Sequence, residues 1–312
     1  MRVIALPEAH AGDHGPVSLA LGNFDGVHVG HQAVIADACA AARVHGATLA
    51  AAVFAPHPKA YFQPDAPPFR IQSDAQRRRA LAACGVETLF EIRFDAGMAR
   101  MDDADFVQTI LVDGARAAHV SVGFDYHYGR ARMGDAQTLR RHGEAYGFGV
   151  GIAAPILANG EKISSTGIRA ALAAGDLAQA HAQLTRPFAI EGSVIDGFRR
   201  GRTIGVPTAN VALGAYTRPR FGVYATRTDL GDGVLRAGVS NCGVKPTVAG
   251  DHAPLLETHL FDFDGDLYGR TIETQLLHFL RAERKFDSFE ALRAQIVQDA
   301  AEARALLAGA QA

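Results

Sequence analysis

The first half of the chain alternates short apolar runs with longer stretches in which apolar residues recur at helical spacing. Between the apolar runs, polar N-cap residues and glycine stops predict helices, one over 31–45 and others that begin after Ser73, Asp102 and Asp135. This alternation predicts βαβ units and a parallel, doubly wound sheet, whose ligands bind at the carboxyl ends of the strands. The predicted strands are 17–21, 49–54, 88–92, 118–122 and 150–157.

After about Leu184 the pattern changes. Residues 185–188 have the composition of a linker, and from there to about 280 glycines separate short β-type runs such as 189–194 and 222–226. Such runs predict antiparallel hairpins in a small barrel or sandwich. Ser288 is then expected to cap a long amphipathic helix. We therefore predict an α/β protein with a parallel-sheet domain at 1–184 and an antiparallel β-barrel domain with a C-terminal helix at 185–312.

Composition narrows the possible functions. The 312 residues are 48% hydrophobic and 21% charged, which is ordinary globular usage, and no long uncharged apolar run predicts a transmembrane helix. The N-terminal apolar stretch is too short for a signal peptide, so a cytoplasmic protein is expected. A net charge of −2 argues against a nucleic-acid partner, whereas self-association stays open. The three distant cysteines predict reduced thiols, and the presence of only four lysines leaves phosphate binding mainly to other groups.

The first candidate site is the run G-N-F-D-G-V-H-V-G-H at 22–31. His28 and His31 are three residues apart at a predicted helix start, so both imidazoles lie on one face beside the positive end of the helix dipole. Gly30 between them would let a phosphate approach the backbone closely. The alternatives are two solvated histidines or a metal site, although no third ligand follows at matching spacing.

Two further segments are candidate binding sites. In I-S-S-T-G-I-R at 163–169, three hydroxyls precede a predicted helix and Arg169 lies in its first turn. They form either a plain N-cap or a second anion clamp that closes on a triphosphate. In V-G-F-D-Y-H-Y-G at 122–129, aromatics and a carboxylate follow a strand. They suit a planar heterocycle, or they are simply packed loop tyrosines.

These three segments, together with F-A-P-H-P at 54–58, resemble in order the adenylyltransferase module of prokaryotic bifunctional riboflavin kinase/FAD synthetases. The resemblance implies a nucleotidyltransferase domain that transfers AMP from ATP to FMN and releases pyrophosphate. It implies that His28 and His31 hold ATP phosphates in the transition state. FMN brings an anionic phosphate as the nucleophile, so positioning and charge neutralisation suffice without a protein base. The other implied contacts are to ATP at Gly22, Phe24, Asp25, Gly30, Ser164, Ser165, Thr166 and Arg169, and to the flavin at Asp125, Tyr126 and Tyr128.

The second half resembles the riboflavin kinase of the same family in the segments 201–210, 222–225, 240–247, 256–260, 266–269 and 280–286. No Gly-Lys pair occurs in the chain, so a P-loop is absent and another phosphate cradle is needed. The resemblance implies that Glu257 is the base for the ribityl hydroxyl, which unlike FMN's phosphate has a proton to lose. By itself Glu257 could equally be a surface carboxylate on a strand. The implied ATP contacts are Gly201, Gly205 and Pro207, and the implied Mg²⁺ ligands are Thr208 and Asn210.

The function expected from both halves is the phosphorylation of riboflavin to FMN, followed by the adenylylation of FMN to FAD. The implied partners are the small molecules riboflavin, FMN and ATP, with Mg²⁺ as cofactor. Tyr126 and Tyr128 stand where phenylalanines are common in the family. Alternatives are that only one half is active, that the first half adenylylates another small nucleotide, or that the chain is a flavin-binding regulator.

Overall fold

The computed structural model describes residues 1–7, 14–158, 160–195, 207–244 and 253–309. The chain forms two compact units. The first contains Met1–Ala66 and Asp74–Ser164, and the second contains Pro67–Ser73 and Ser165–Ala312. The domain limits proposed from the sequence, 1–184 and 185–312, stay a prediction.

A parallel sheet forms the centre of the first unit. In the described residues it has six strands in the order β1-β4-β3-β2-β5-β8. The chain moves from β2 outward to β3 and β4, and then returns to place β5 on the other side of β2. The predicted doubly wound parallel sheet is therefore confirmed, with its topological switch between β2 and β5. The strands are β1 Arg2–Leu6, β2 Val17–Leu21, β3 Thr48–Ala55, β4 Thr88–Arg93, β5 Ala117–Gly123 and β8 Gly149–Ala153.

Helices cover both faces of this sheet. Because neighbouring strand residues point to opposite faces, Leu19 and Ala20 belong to two different apolar clusters. One cluster includes Ile35 of α1, and the other includes Leu139 of α6. The α-helices are α1 Val29–His45, α2 Pro58–Phe62, α3 Asp74–Ala83, α4 Ala96–Arg100, α5 Asp103–Phe106 and α6 Ala136–Tyr146, with a π-helix at Val107–Gly114 and a 3₁₀ turn at Arg130–Arg132.

The helix signals of the first unit are largely confirmed. Asp102 and Asp135 are N-caps whose carboxylates accept hydrogen bonds from backbone N–H groups three residues on, and Gly46 ends α1 in the left-handed region. The run 150–157 was wrongly predicted as one strand. Pro155 interrupts it, because proline lacks the N–H that a ladder needs. Two short hairpins follow β5 and β8: β6 His127–Tyr128 pairs with β7 Gly134–Asp135, and β9 Leu157–Ala158 pairs with β10 Glu161–Lys162.

The second unit contains a closed antiparallel barrel with the strand order β11-β12-β15-β14-β13-β16 among the described residues. The sequence did not decide between a barrel and a sandwich, and the structure is a barrel. As predicted, Ser288 caps the C-terminal helix, its hydroxyl accepting from Ala291 N at 3.1 Å. The elements are α7 Ser165–Ala174, α8 Leu177–Leu184, β11 Phe188–Ile195, β12 Ala209–Ala212, β13 Gly222–Asp229, β14 Leu235–Val244, β15 Pro254–Leu260, β16 Thr271–Ala282 and α9 Phe289–Gly309.

The segment Pro67–Ser73 packs into this second unit although it lies far from it in sequence. Arg70 N donates to Ala215 O at 2.9 Å, and Thr217 N donates to Arg70 O at 2.7 Å. Ile71 is buried in the same apolar cluster as barrel residues such as Tyr224. The sequence pattern gave no sign of this long-range pairing. In the described part of the chain, no helix combines the length and the apolar character that crossing a membrane requires.

Candidate active sites

The topological switch of the first unit brings two of the predicted segments together. The run 22–31 follows β2, and the run 122–129 begins in the last two residues of β5, the neighbour of β2 in the sheet. In an open parallel sheet the crevice outside these two carboxyl ends is the usual ligand site. The segments 22–31 and 122–129 therefore flank one crevice.

His28 is the N-cap of α1. Its Nδ1 accepts a hydrogen bond from His31 N at 3.3 Å, so a neutral His28 carries its proton on Nε2. The two imidazole rings are stacked, with centroids 3.6 Å apart and an interplanar angle of 20°. His28 is only 5% exposed. The predicted placement of both rings on one face of the first turn is thus what the structure has.

The turn before α1 is tightly packed and strained. Phe24 and Val27 have positive φ angles of 51° and 44°. Non-glycine residues rarely adopt such angles unless the surrounding packing holds them in place. Phe24 and Asp25 are buried, and the Phe24 ring meets the His31 ring edge-on at 5.3 Å. A methyl group built on Gly30 would lie 3.1 Å from His28 Cε1, so glycine leaves room for the imidazole.

The segment 163–169 is divided between the two units. Ser164 is the last residue of the first unit, whereas Ser165 begins α7 of the second. Only Ser164 therefore precedes the helix. The expectation that Ser165 and Thr166 also precede it was wrong, because the helix starts two residues earlier than the hydroxyl pattern indicated. Arg169 Nε donates to Phe69 O at 2.6 Å. Convergence of the three hydroxyls and Arg169 with the histidines stays a prediction.

Asp125 lies just after β5 and forms an ion pair and hydrogen bond with Lys162 Nζ. The same ammonium group is 4.6 Å from the centroid of the Phe124 ring. Both partners of the pair are partly exposed, with side-chain exposures of 56% for Asp125 and 39% for Lys162. Asp125 was a predicted flavin contact, whereas no motif in the sequence indicated Lys162 as its partner.

Tyr126 and Tyr128 stack with ring centroids 6.0 Å apart and pack against the core of the first unit. Tyr128 also contacts Phe106 at 5.4 Å between centroids. Burial raises the pKa of both phenols well above the usual range, so they stay protonated. This packing supports the structural alternative for the two tyrosines, and flavin contact by them stays a prediction.

Sequence reasoning also missed an aromatic group at the carboxyl end of β3. Tyr61 and Phe62 in α2 each contact Phe94 edge-on, with ring centroids 5.3 and 5.6 Å apart. Phe62 is 63% exposed. The signal was present, since both rings closely follow the F-A-P-H-P segment.

In the second unit, strand register places three polar side chains in one row. Glu257 of β15 lies directly opposite Asn210 of β12 on one side and Asn241 of β14 on the other. Directly opposed residues of antiparallel strands point to the same face, with Cβ atoms about 4.5–5.5 Å apart. Asn241 Nδ2 donates to Glu283 Oε1 at 3.1 Å, which fixes its amide group. Asn241 belongs to a segment that resembles the family, but sequence reasoning assigned it no role.

Thr208 and Pro207 lie immediately before β12. Asn210 Nδ2 donates to Thr208 O at 3.5 Å, so the amide oxygen of Asn210 is not used in that bond. Pro207 O accepts from His259 Nδ1 at 2.9 Å, which brings the start of this segment beside β15. The predicted ATP contacts Gly201 and Gly205 lie outside the described residues. Among the described residues, no group of three or more His, Cys, Asp or Glu side chains could hold a metal ion.

Comparison with known proteins agrees with this division. The family model for FAD synthetase matches residues 10–167, and the model for riboflavin kinase matches residues 184–307. The chain is 42% identical over 298 residues to the bifunctional riboflavin kinase/FMN adenylyltransferase of Pseudomonas fluorescens, covering 95% of this chain and 94% of that protein. Its Escherichia coli K12 counterpart is 40% identical over 287 residues, which are 92% of this chain and 91% of that protein.

A solved structure shares the fold over nearly the whole chain. It is a crystal structure described as a macrolide-efflux protein from Streptococcus pneumoniae, with a TM-score of 0.83 and 31% sequence identity. The match covers 96% of this chain and 97% of that one. The similarity therefore extends to both units.

Proposed function

The chain belongs to the family of bifunctional riboflavin kinase/FMN adenylyltransferases, and from this membership we propose how its residues share the two reactions. The protein phosphorylates riboflavin to FMN and adenylylates FMN to FAD, with ATP as the second substrate of both steps. We assign adenylylation to the site at the carboxyl ends of β2 and β5. We assign the kinase reaction to the row of polar residues on the barrel.

In the adenylylation, an oxygen of the FMN phosphate attacks the α-phosphorus of ATP and pyrophosphate leaves. The nucleophile is already an anion, so no proton has to be removed. His28 and His31 hold the phosphates at the N-terminus of α1, where backbone N–H groups and the helix dipole also favour an anion. In this role a neutral His28, whose proton is on Nε2, donates that proton in a hydrogen bond to a phosphate oxygen. His28 is buried and the two rings are stacked, which preorganises both rings before the substrate arrives.

In the kinase reaction, the ribityl hydroxyl oxygen attacks the γ-phosphorus of ATP, ADP leaves, and Glu257 accepts the hydroxyl proton. Asn210 and Asn241 on the flanking strands position Glu257 and limit its movement. The carboxylate projects from a strand of a closed barrel, which is a rigid support for a catalytic group. Gly201, Gly205 and Pro207 contribute the ATP contacts that the family resemblance implies.

Thr208 and Asn210 are proposed to hold Mg²⁺. A hydroxyl and an amide oxygen are hard donors, which suit an ion whose remaining ligands are substrate phosphates and water. The hydrogen bond from Asn210 Nδ2 to Thr208 O fits this role, because it turns the amide oxygen of Asn210 toward another partner. When bound, Mg²⁺ neutralises charge on the ATP phosphates.

The three cysteines support a reducing compartment, for which we propose the cytoplasm. Cys39, Cys84 and Cys242, all three of which the structure describes, are not joined in disulfides. Burial raises the pKa of Cys242 to about 12, so this thiol stays protonated at neutral pH. A disulfide requirement for folding is therefore not expected.

The observation that carries the division of labour is that the two constellations lie on separate compact units. It is tested with the full chain, by incubating it with ATP, Mg²⁺ and either riboflavin or FMN and separating the flavins. The double variant His28→Ala/His31→Ala should lose FAD formation by about 10²-fold or more, since a preorganised contact in a phosphate site contributes several kcal/mol. FMN formation should stay within about two-fold. Equal loss of both activities in a folded double variant would show that the two reactions share one site.

A further inference from the structure

Lys162 occupies a position in the first unit that the family assignment leaves without a role. Its ammonium group is bound by Asp125 and lies over the Phe124 ring. Asp125 and Phe124 follow β5, whereas Lys162 ends β10, so the pair joins two segments far apart in sequence. Lysine is rare in this chain, with four in all, and this one lies beside the switch-point crevice.

The ion pair has too little energetic value to be explained by stability alone. Both partners are substantially exposed, at 56% for Asp125 and 39% for Lys162. Exposed pairs of this kind typically contribute little to stability, because water screens the attraction and two side chains lose freedom. A contact this weak can be exchanged for a stronger one at small cost. What it does achieve is to hold a lysine ammonium at one place in the absence of substrate.

That place adjoins the phosphate site. A methyl group built on Gly30 would lie 3.7 Å from Ile163 O, so the backbone at Ile163 passes beside the turn that carries the two histidines. Lys162 is the preceding residue, and its four-carbon side chain is flexible enough to turn from one neighbour to another. The backbone of Lys162 therefore lies between the loop that contains Asp125 and the start of α1.

The reaction needs such a charge. Adenylylation brings together two anions, ATP and FMN, and then releases a third, pyrophosphate. The histidines and the helix N-terminus supply hydrogen-bond donors and partial charge. A full positive charge in addition to that of the predicted contact Arg169 would lower the repulsion between the reacting phosphates much more. An ammonium group is a compact point charge that suits this task.

We propose that Lys162 is an exchangeable counter-ion of adenylyl transfer. In the substrate-free protein it is held by Asp125 and Phe124, and in the reactive complex it leaves Asp125 and binds a phosphate group of ATP or FMN. The inference rests on the proposed adenylylation site. It adds a residue that touches substrate and a reason for Asp125 to be a carboxylate.

The test uses the full chain with Lys162→Met and Lys162→Arg. A surface pair of comparable exposure, Arg78 with Glu91, offers the matched control Arg78→Met. FAD formation is measured against ATP at saturating FMN and against FMN at saturating ATP. Riboflavin kinase activity of the same samples serves as the internal reference, and product inhibition by pyrophosphate is measured as well. Wild-type FAD formation is the separate check on the proposed function.

We expect Lys162→Met to lower kcat/KM for FAD formation by about 10–100-fold, the usual effect of losing one charge-assisted hydrogen bond. The substrate whose KM rises identifies the phosphate that Lys162 binds. Inhibition by pyrophosphate should weaken in parallel. Lys162→Arg should restore most of the loss, while Arg78→Met and every kinase rate should stay within about two-fold of wild type.

Two results would overturn the proposal. The first is a Lys162→Met protein that makes FAD within about two-fold of wild type with unchanged pyrophosphate inhibition. The second concerns Asp125→Asn, which removes the charge that Lys162 neutralises in the substrate-free protein. If Lys162→Met has no effect in the Asp125→Asn background, then Lys162 acts only by masking Asp125. The proposal requires the same 10–100-fold loss in both backgrounds.

Discussion

The substitution Glu257→Gln isolates proton transfer from every other property of the kinase site. Glutamine has nearly the size of glutamate and keeps one carbonyl oxygen as an acceptor, but it cannot take up a proton at neutral pH. The register that places residue 257 between Asn210 and Asn241 is made by backbone hydrogen bonds, so it should survive the substitution. Riboflavin and ATP should therefore still bind, with KM values within a few-fold of wild type.

Loss of a general base lowers turnover by about 10²–10⁴-fold, which corresponds to about 2.7–5.5 kcal/mol of transition-state stabilisation. We expect the loss of turnover to lie within this range because no other described carboxylate lies directly opposite Asn210 or Asn241 in the strand register. Glu283 is hydrogen-bonded to Asn241 and is not the register partner of Asn210. The competing view is that phosphoryl transfer has a loose transition state and needs little early proton removal. In that case Glu257 would only orient the substrate.

The assay follows FMN formation from riboflavin and, separately, FAD formation from added FMN in the same preparation. The second activity should be unchanged, since it starts from a phosphate anion in the other unit. Glu273→Gln, at a half-buried glutamate on the barrel strand β16, is the matched control and should keep kinase turnover within about two-fold. Kinase turnover within a few-fold of wild type in folded Glu257→Gln would refute the base assignment and leave Glu257 a positioning role.

Two further predictions concern the first site and the stability of the second unit. Gly30→Ala should reduce FAD formation by about ten-fold or more without changing FMN formation, because the new methyl group would lie 3.1 Å from His28 Cε1 and displace the stacked ring; separate assays of the two products check this, and an unchanged FAD rate would contradict it. Burial, with a smaller contribution from nearby His278, lowers the pKa of His181 below its usual 6.5, so the unfolded chain binds more protons than the folded one as the pH falls below about 6.5. Stability should then decrease toward acid pH by at most about 1.4 kcal/mol per pH unit from this group. Urea unfolding at pH 7.5 and 5.5 measures the decrease in the free energy of unfolding between these two pH values. This decrease should be smaller in His181→Gln than in wild type, and an equal decrease would show that His181 does not contribute to it.

The helices and strands of the first unit could be predicted from the sequence, but the contacts between residues far apart in the chain could not. Alternating apolar runs and caps such as Asp102 and Asp135 are local signals, and local backbone chemistry decides them. The pairing of Lys162 with Asp125 joins residues 37 positions apart, and no periodicity encodes it. The failure at 150–157 had a local cause that composition already contained, since Pro155 cannot continue a strand ladder. Helix α7 likewise begins at Ser165 because a hydroxyl residue is tolerated inside a first turn as well as before it.

The kinase row shows where the limit lies. Leu256, Thr258 and Leu260 are buried on the inner side of β15, and strand alternation then requires Glu257 to point to the opposite face. The orientation of this carboxylate could therefore be predicted from the sequence. Its neighbours were not, because which strands lie beside β15 follows from closure of the barrel, and only closure places Asn210 and Asn241 on either side of Glu257. A base needs both the correct face and the correct neighbours, so the chemistry of Glu257 is a property of the closed barrel more than of the segment that contains it.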